Sequence, residues 1–133
     1  MLTRWFPFLD PSRIDPGLPS RLRRLADDCE RAVELGLPVT ELELVNAPLL
    51  EDWAPAVTPQ GLRLAGYATG HPVFGERAIL TSQLFIADPE GGWVRTLSRF
   101  YRLGCSVDPK DIRRVLRSSG AIRGDEDGWE EGA

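Results

Sequence analysis

The stretch that decides the fold is Gly61–Leu103, GLRLAGYATGHPVFGERAILTSQLFIADPEGGWVRTLSRFYRL. Upstream of it the apolar residues recur at helical spacing; from Gly61 the period changes to two, the mark of strands. Leu62–Thr69 reads as a strand in which Gly66 marks a weak point or a bulge. Gly70-His71-Pro72 and Gly75 mark a connection, Ala78–Ala87 reads as a second strand, and Asp88-Pro89-Glu90-Gly91-Gly92 has the composition of a hairpin turn. Trp93–Leu103 reads as a third strand that Gly104 stops. With Ala87 facing Trp93, the hairpin register places Leu80/Phe100, Ser82/Ser98, Leu84/Thr96 and Ile86/Val94 on one face. It places Ile79/Tyr101, Thr81/Arg99, Gln83/Leu97 and Phe85/Arg95 on the other. The first face suits a core and the second, with its arginines and rings, suits binding; a slip of one residue exchanges the two.

Outward from this region, Leu22, Leu25, Ala26, Cys29, Ala32 and Val33 form the apolar side of a helix over Ser20–Leu35, ended by Gly36 and Pro38. Thr40 and Glu43 have capping-box spacing for a short helix to about Val45, although Leu42 and Leu44 alternating with acids also fit a strand. Asn46-Ala47-Pro48 restarts a helical turn toward Trp53, and Pro55 and Pro59 mark a loop. Residues 1–19 carry Trp5, Phe6, Phe8 and four prolines, an arm in which regular structure is blocked. Asp108 as N-cap and Pro109 as first residue open a last helix with Arg113, Arg114 and Arg117 on one edge. The expected fold class is therefore α+β: a three-stranded antiparallel β-meander packed with an N-terminal amphipathic helix and a short C-terminal helix. The expected organisation is an arm at 1–19, a domain at 20–123 and an acidic, disordered tail at 124–133.

Composition bounds the function. At 133 residues the chain is one domain by length, and 42% hydrophobic with 27% charged residues is ordinary for a globular domain. Sixteen bases against twenty acids give a net charge of −4, which argues against a strongly basic nucleic-acid binder. Five of the acids lie in 125–131, so the preceding body carries about +1. Every base but Lys110 is Arg, either for bidentate contacts or from coding bias. No window has the ~18 apolar residues of a membrane span, and the start is too interrupted for a signal peptide, so a cytoplasmic location is expected. Cys29 and Cys105 fit that compartment as free thiols.

Catalytic signals are sparse. His71 is the single histidine, read either as a loop residue that caps a turn or as a base for Thr81, Ser82 or Ser98. The carboxylate pairs Asp27/Asp28, Glu41/Glu43 and Glu51/Asp52 read as solvated faces, and no phosphate loop, dinucleotide fingerprint or metal-ligand spacing occurs. The expectation is a chain that is not an enzyme, with no cofactor and no metal. The most unusual segment is Trp93–Gly104, in which cations, hydroxyls and rings alternate. Its arginines hold a nucleic-acid strand, hold an acidic protein partner, or serve the fold. Binding candidates are Arg95, Arg99, Tyr101 and Arg102, with Trp5 and Phe6 of the arm.

Ala47-Pro48-Leu49-Leu50 with Trp53, Gly70-His71-Pro72, Thr81-Ser82 and Arg95-Thr96-Leu97-Ser98-Arg99-Phe100-Tyr101-Arg102-Leu103-Gly104 together resemble a family of small uncharacterised bacterial proteins. The similarity runs from about Leu22 to Gly104 and leaves the tail outside. It implies that the meander is one unit, and it implies no activity.

The leading expectation is a small non-enzymatic binding or regulatory protein that acts through a protein partner. Nucleic-acid binding through Arg95, Arg99, Arg102 and the C-terminal arginines is the alternative, and a small enzyme using His71 is the third reading. A short sheet with an exposed edge also suits a homodimer.

Overall fold

The computed structural model describes residues 1–108 and Lys110. The chain divides into two compact units, Met1–Pro38 and Val39 onward.

In the first unit, α1 (Leu2–Trp5) is followed by 3-10 turns at Pro7–Leu9 and Pro11–Arg13, and then by α2 (Leu18–Leu35). The prolines of the arm start these turns instead of preventing them. Pro7 and Pro11 stand at their first positions, where a missing N–H leaves no bond unmade. Gly36 ends α2 at φ 78°, its N–H on the Ala32 carbonyl, as a left-handed cap requires. Among the described residues no helix is long and apolar enough to cross a membrane.

The second unit opens with α3 (Glu41–Val45). Both bonds of the capping box are made: Glu43 N–H to Thr40 Oγ1 at 3.1 Å and Thr40 N–H to Glu43 Oε1 at 2.9 Å. Six strands follow: β1 (Leu49–Thr58), β2 (Gly61–His71), β3 (Gly75–Leu80), β4 (Leu84–Ala87), β5 (Trp93–Thr96) and β6 (Phe100–Leu103). They form one mixed sheet in the order β3-β2-β1-β6-β5-β4, with β1 and β6 parallel and every other pair antiparallel.

The expected three-stranded meander is thus corrected to a six-stranded mixed sheet, for three physical reasons. Leu49–Thr58 is a strand despite its proline, because Pro55 faces Leu64, whose N–H and C=O point the other way, to Thr81. That pair exchanges no backbone bond, so Pro55 needs no donor there. The supposed strand 78–87 is two, because Thr81-Ser82-Gln83 carries the chain from the ladder with β2 to the ladder with β5. The supposed strand 93–103 is two, because Thr96–Arg99 is a tight turn: Thr96 N–H bonds the Arg99 carbonyl at 2.8 Å. The expected C-terminal helix and the tail at 124–133 lie outside the described residues.

Since β3 and β4 stand at opposite ends of the strand order yet are joined by three residues, the sheet of this unit curls and brings β4 close to β2, with a seam at Thr81-Ser82-Gln83. At the seam the Thr81 N–H bonds the Leu64 carbonyl and the Leu97 N–H bonds the Gln83 carbonyl, each at 2.8 Å. Leu50, Leu64, Ala68, Ile79, Val94 and Tyr101 form one core cluster, drawn from five strands. Adjacent residues on a strand point to opposite faces, and so Ala65, Ala54, Ala78 and Leu80 form a second cluster, with Val107 packed against it.

The register also shows where the hairpin reading held. Leu84 faces Thr96, as the hairpin alternation predicts, but a bulge at Phe85 moves the remaining pairs to Ile86/Arg95 and Ala87/Val94. Leu80 faces Ala65, and Phe100 faces Arg95. In β1, residues 52–53 bulge opposite Gly66, and Asp52 takes φ 51°. A Cβ on Gly66 would lie 3.0 Å from the Glu51 carbonyl oxygen, which explains the glycine inside a strand.

Candidate functional site

The hydroxyls singled out in the sequence gather first at the seam, together with Arg63, which the sequence did not single out. Thr81 is fully buried; its Oγ1 accepts the Leu64 N–H at 3.0 Å and donates to the Ser82 carbonyl at 2.8 Å. Ser82 Oγ lies 3.4 Å from Ser98 Oγ, and the Ser98 N–H bonds Ser82 Oγ at 3.3 Å. Thr96 Oγ1 accepts the Ser98 and Arg99 N–H groups at 3.2 and 3.1 Å and donates to the Arg99 carbonyl at 3.0 Å. Arg63, buried like Thr81, donates Nε to the Thr81 carbonyl and Nη1 to Gln60 Oε1 at 2.8 Å. Side-chain hydroxyls here satisfy the backbone groups that a broken ladder would leave bare.

His71 ends β2. It is 3% exposed, and its Nδ1 accepts the N–H groups of Val73 and Phe74, both at 3.0 Å. An imidazole that accepts at Nδ1 carries its hydrogen on Nε2 when neutral, so the Nδ1 lone pair is held by the turn. The ring stacks on Phe74 at 4.7 Å and lies 6.1 Å from the Tyr101 ring. The turn-capping role describes this geometry. The structure groups Ser82 with Ser98, and His71 with Phe74 and Tyr101.

The expected Arg95, Arg99 and Tyr101 face is divided by the Thr96–Arg99 turn, which resets the alternation. Tyr101 points into the core and is fully buried, and burial pushes its phenol above the ordinary range against the pull of the Arg99 charge. Arg95 lies on the opposite face, 3% exposed. Its guanidinium is 5.2 Å from the Phe100 ring centroid, and its Nη1 donates to the Thr96 carbonyl at 2.7 Å. Trp93 meets Phe100 edge-on at 5.7 Å. Arg102, half-buried, donates Nε to the Ala47 carbonyl at 3.0 Å and its own N–H to the Pro48 carbonyl at 2.8 Å. Arg99 is half-buried. The Arg/aromatic strand is therefore bound largely into the fold, with Tyr101 and Arg95 withdrawn from the surface.

The arm is arranged differently. Asp10 Oδ1 accepts both the N–H and the hydroxyl of Ser12 at 2.9 Å, and these bonds lower its carboxyl below the ordinary value. Phe6 and Phe8 meet edge-on at 6.1 Å, and Asp15 pairs with Arg21 of α2 at 2.8 Å. The arm thus has a defined shape, yet Trp5 is 64% exposed, Phe8, Leu9 and Ile14 are exposed, and Phe6 is half-buried. Leu9 and Ile14 were not anticipated; the proline-started turns that hold them outward were legible only as breaks. Cys29 and Cys105 are free thiols, half-buried and exposed respectively. Among the described residues no three His, Cys, Asp or Glu side chains are placed to hold a metal.

Residues 22–122 match DUF6634, a family of unknown function. No curated protein and no solved structure matches the chain.

Proposed function

We propose, for a chain that belongs to the DUF6634 family of unknown function, a small non-enzymatic binding or regulatory protein of the cytoplasm that acts through a protein partner, with residues 2–14 as the contact. The observation that carries this reading is an arm with fixed turns whose Trp5, Leu9 and Ile14 side chains stand in solvent. Contiguous exposed apolar groups mark interaction sites, tryptophan is enriched among the residues that dominate binding energy, and a pre-ordered segment loses less entropy on docking. Arg95 and Tyr101, being buried, act in this reading as supports of the sheet rather than as contacts.

The test is affinity capture of the tagged full chain from its native cells, beside Trp5→Ala and Ile14→Ala variants. One protein partner is expected with the wild type. Trp5→Ala should weaken its retention by about tenfold or more, while the circular dichroism spectrum stays unchanged. Identical capture by all three chains, or recovery of nucleic acid alone, would overturn the proposal.

A further inference from the structure

Helix α2 carries two adjacent apolar rows; among the described residues one is buried or half-buried and the other is largely exposed. Leu18, Leu25 and Ala32 follow one line; Leu25 is 6% exposed and the other two are half-buried. Leu22, Ala26, Cys29 and Val33 follow the next, at i, i+4, i+7 and i+11, which places all four on one stripe. Leu22 is 46% and Val33 85% exposed, Ala26 is exposed and Cys29 half-buried.

We infer that this stripe pairs with the same stripe of a second copy of the chain, the two helices running antiparallel. The first argument is symmetry. An isologous interface needs a surface that is its own complement. A two-fold axis between Asp27 and Asp28 exchanges Leu22 with Val33 and Ala26 with Cys29. Large residues then meet at the two ends, and small ones at the centre let the helix axes approach to about 8 Å.

The second argument is charge. Residues 21–24 hold Arg21, Arg23 and Arg24, whereas residues 27–34 hold Asp27, Asp28, Glu30 and Glu34 against Arg31. The N-terminal half of the helix is thus basic and the C-terminal half acidic. Antiparallel pairing sets basic on acidic at both ends, and parallel pairing would set like on like. Arg23, Glu30 and Glu34 are exposed and flank the stripe on one side. In the pairing, Arg23 stands level with Ala32 of the second copy, between that copy's Glu30 and Glu34. Each of those is two residues away, or about 3 Å along the axis. The occupant is therefore another molecule of this chain, and the inference does not depend on the partner proposed for the arm.

Sedimentation equilibrium of the full chain over a concentration series tests it, with three variants and one cross-link. The wild type should show a monomer–dimer equilibrium. Val33→Asp and Arg23→Glu should each weaken the dimer about tenfold or more, because the first puts a charge in the stripe and the second faces glutamate with glutamate. Arg23→Glu combined with Glu30→Arg and Glu34→Arg should restore dimerisation, which a merely damaged helix would not do. In a Cys105→Ser background, Ala26→Cys should give a disulfide-linked dimer with Cys29 of the second copy on mild oxidation. A chain that stays monomeric throughout the series, a dimer indifferent to both single variants, or a charge-reversed triple variant that remains monomeric would overturn it.

Discussion

Replacing Thr81 by valine keeps the volume of the side chain and removes one oxygen. That oxygen accepts the Leu64 N–H at 3.0 Å and donates to the Ser82 carbonyl at 2.8 Å, at a residue with no exposure. The valine variant therefore leaves a buried donor and a buried acceptor unmatched. Each such group costs about 1–3 kcal/mol, so the expected loss is about 2–6 kcal/mol. Thr81→Ser keeps both bonds and loses a methyl group, at about 1 kcal/mol. The two variants thus separate hydrogen bonding from packing: if the seam is held by the hydroxyl, valine is the worse substitution, and if packing held it, serine would be. Urea unfolding followed by tryptophan fluorescence decides between them. With a slope of about 1–3 kcal/mol per molar, Thr81→Val should shift the midpoint down by about 1 M or more, and Thr81→Ser by a fraction of that. Native-state hydrogen exchange adds a local readout, since the Leu64 amide should exchange faster in the valine variant alone. A valine variant as stable as wild type, or more stable than the serine variant, would refute the role given to the seam.

Gly66→Ala places a Cβ 3.0 Å from the Glu51 carbonyl oxygen and 3.0 Å from Leu50 Cγ; overpacking of this kind should lower stability by about 1–3 kcal/mol, read as a fall in Tm. Thr40→Ala removes the Oγ1 that accepts the Glu43 N–H, and should cost about 1 kcal/mol, read as faster exchange of that amide in α3. Tyr101 is buried with its phenol pushed above the ordinary value, so above about pH 10 the unfolded chain ionises there first and binds fewer protons than the folded one. Stability should then fall with rising pH by up to about 1.4 kcal/mol per unit. Tyr101→Phe should flatten that limb of the pH–stability curve, and an unchanged limb would assign the loss to other groups.

Helices and turns were legible because their signals are local. Thr40 with Glu43 specified a cap, Gly36 a left-handed end, and Asp88–Gly92 a turn, in which the Asp88 carboxylate accepts the Glu90 and Gly92 N–H groups at 3.0 Å each. The sheet was legible only in part, because its breaks are made by side chains acting as backbone. Thr81 and Thr96 are good strand formers by propensity, and nothing in the period of two shows that their hydroxyls end a ladder. A Thr-x-Ser sequence does favour local side-chain to backbone bonds, and Thr96-Leu97-Ser98 was the available hint. β1 was hidden by Pro55, whose fitness for a strand depends on which way Leu64, nine positions along, directs its own amide. The alternation behind the expected face broke with the sheet: Arg95 and Tyr101 share a face only if 93–103 is a single strand.

The same geometry gives each of the conspicuous motifs a place in the fold. Arg102 holds the Ala47-Pro48 carbonyls, His71 holds the turn after β2, Thr81 holds the Leu64 N–H, Ser82 meets Ser98, and Tyr101 fills the core. Each has a structural role, and the two surfaces proposed above use none of these residues. The two surfaces proposed here stand differently to the family. The match spans residues 22–122, so the α2 stripe begins at its first residue and the arm lies wholly before it. Self-association through α2 is then expected of other members of the family, whereas binding through the arm is expected of chains that carry a comparable aromatic segment. Transplanting residues 1–17 onto another member separates the two: it should confer capture of the arm's partner and leave the monomer–dimer equilibrium unchanged. A graft that altered association without adding capture would reverse the assignment of the two surfaces.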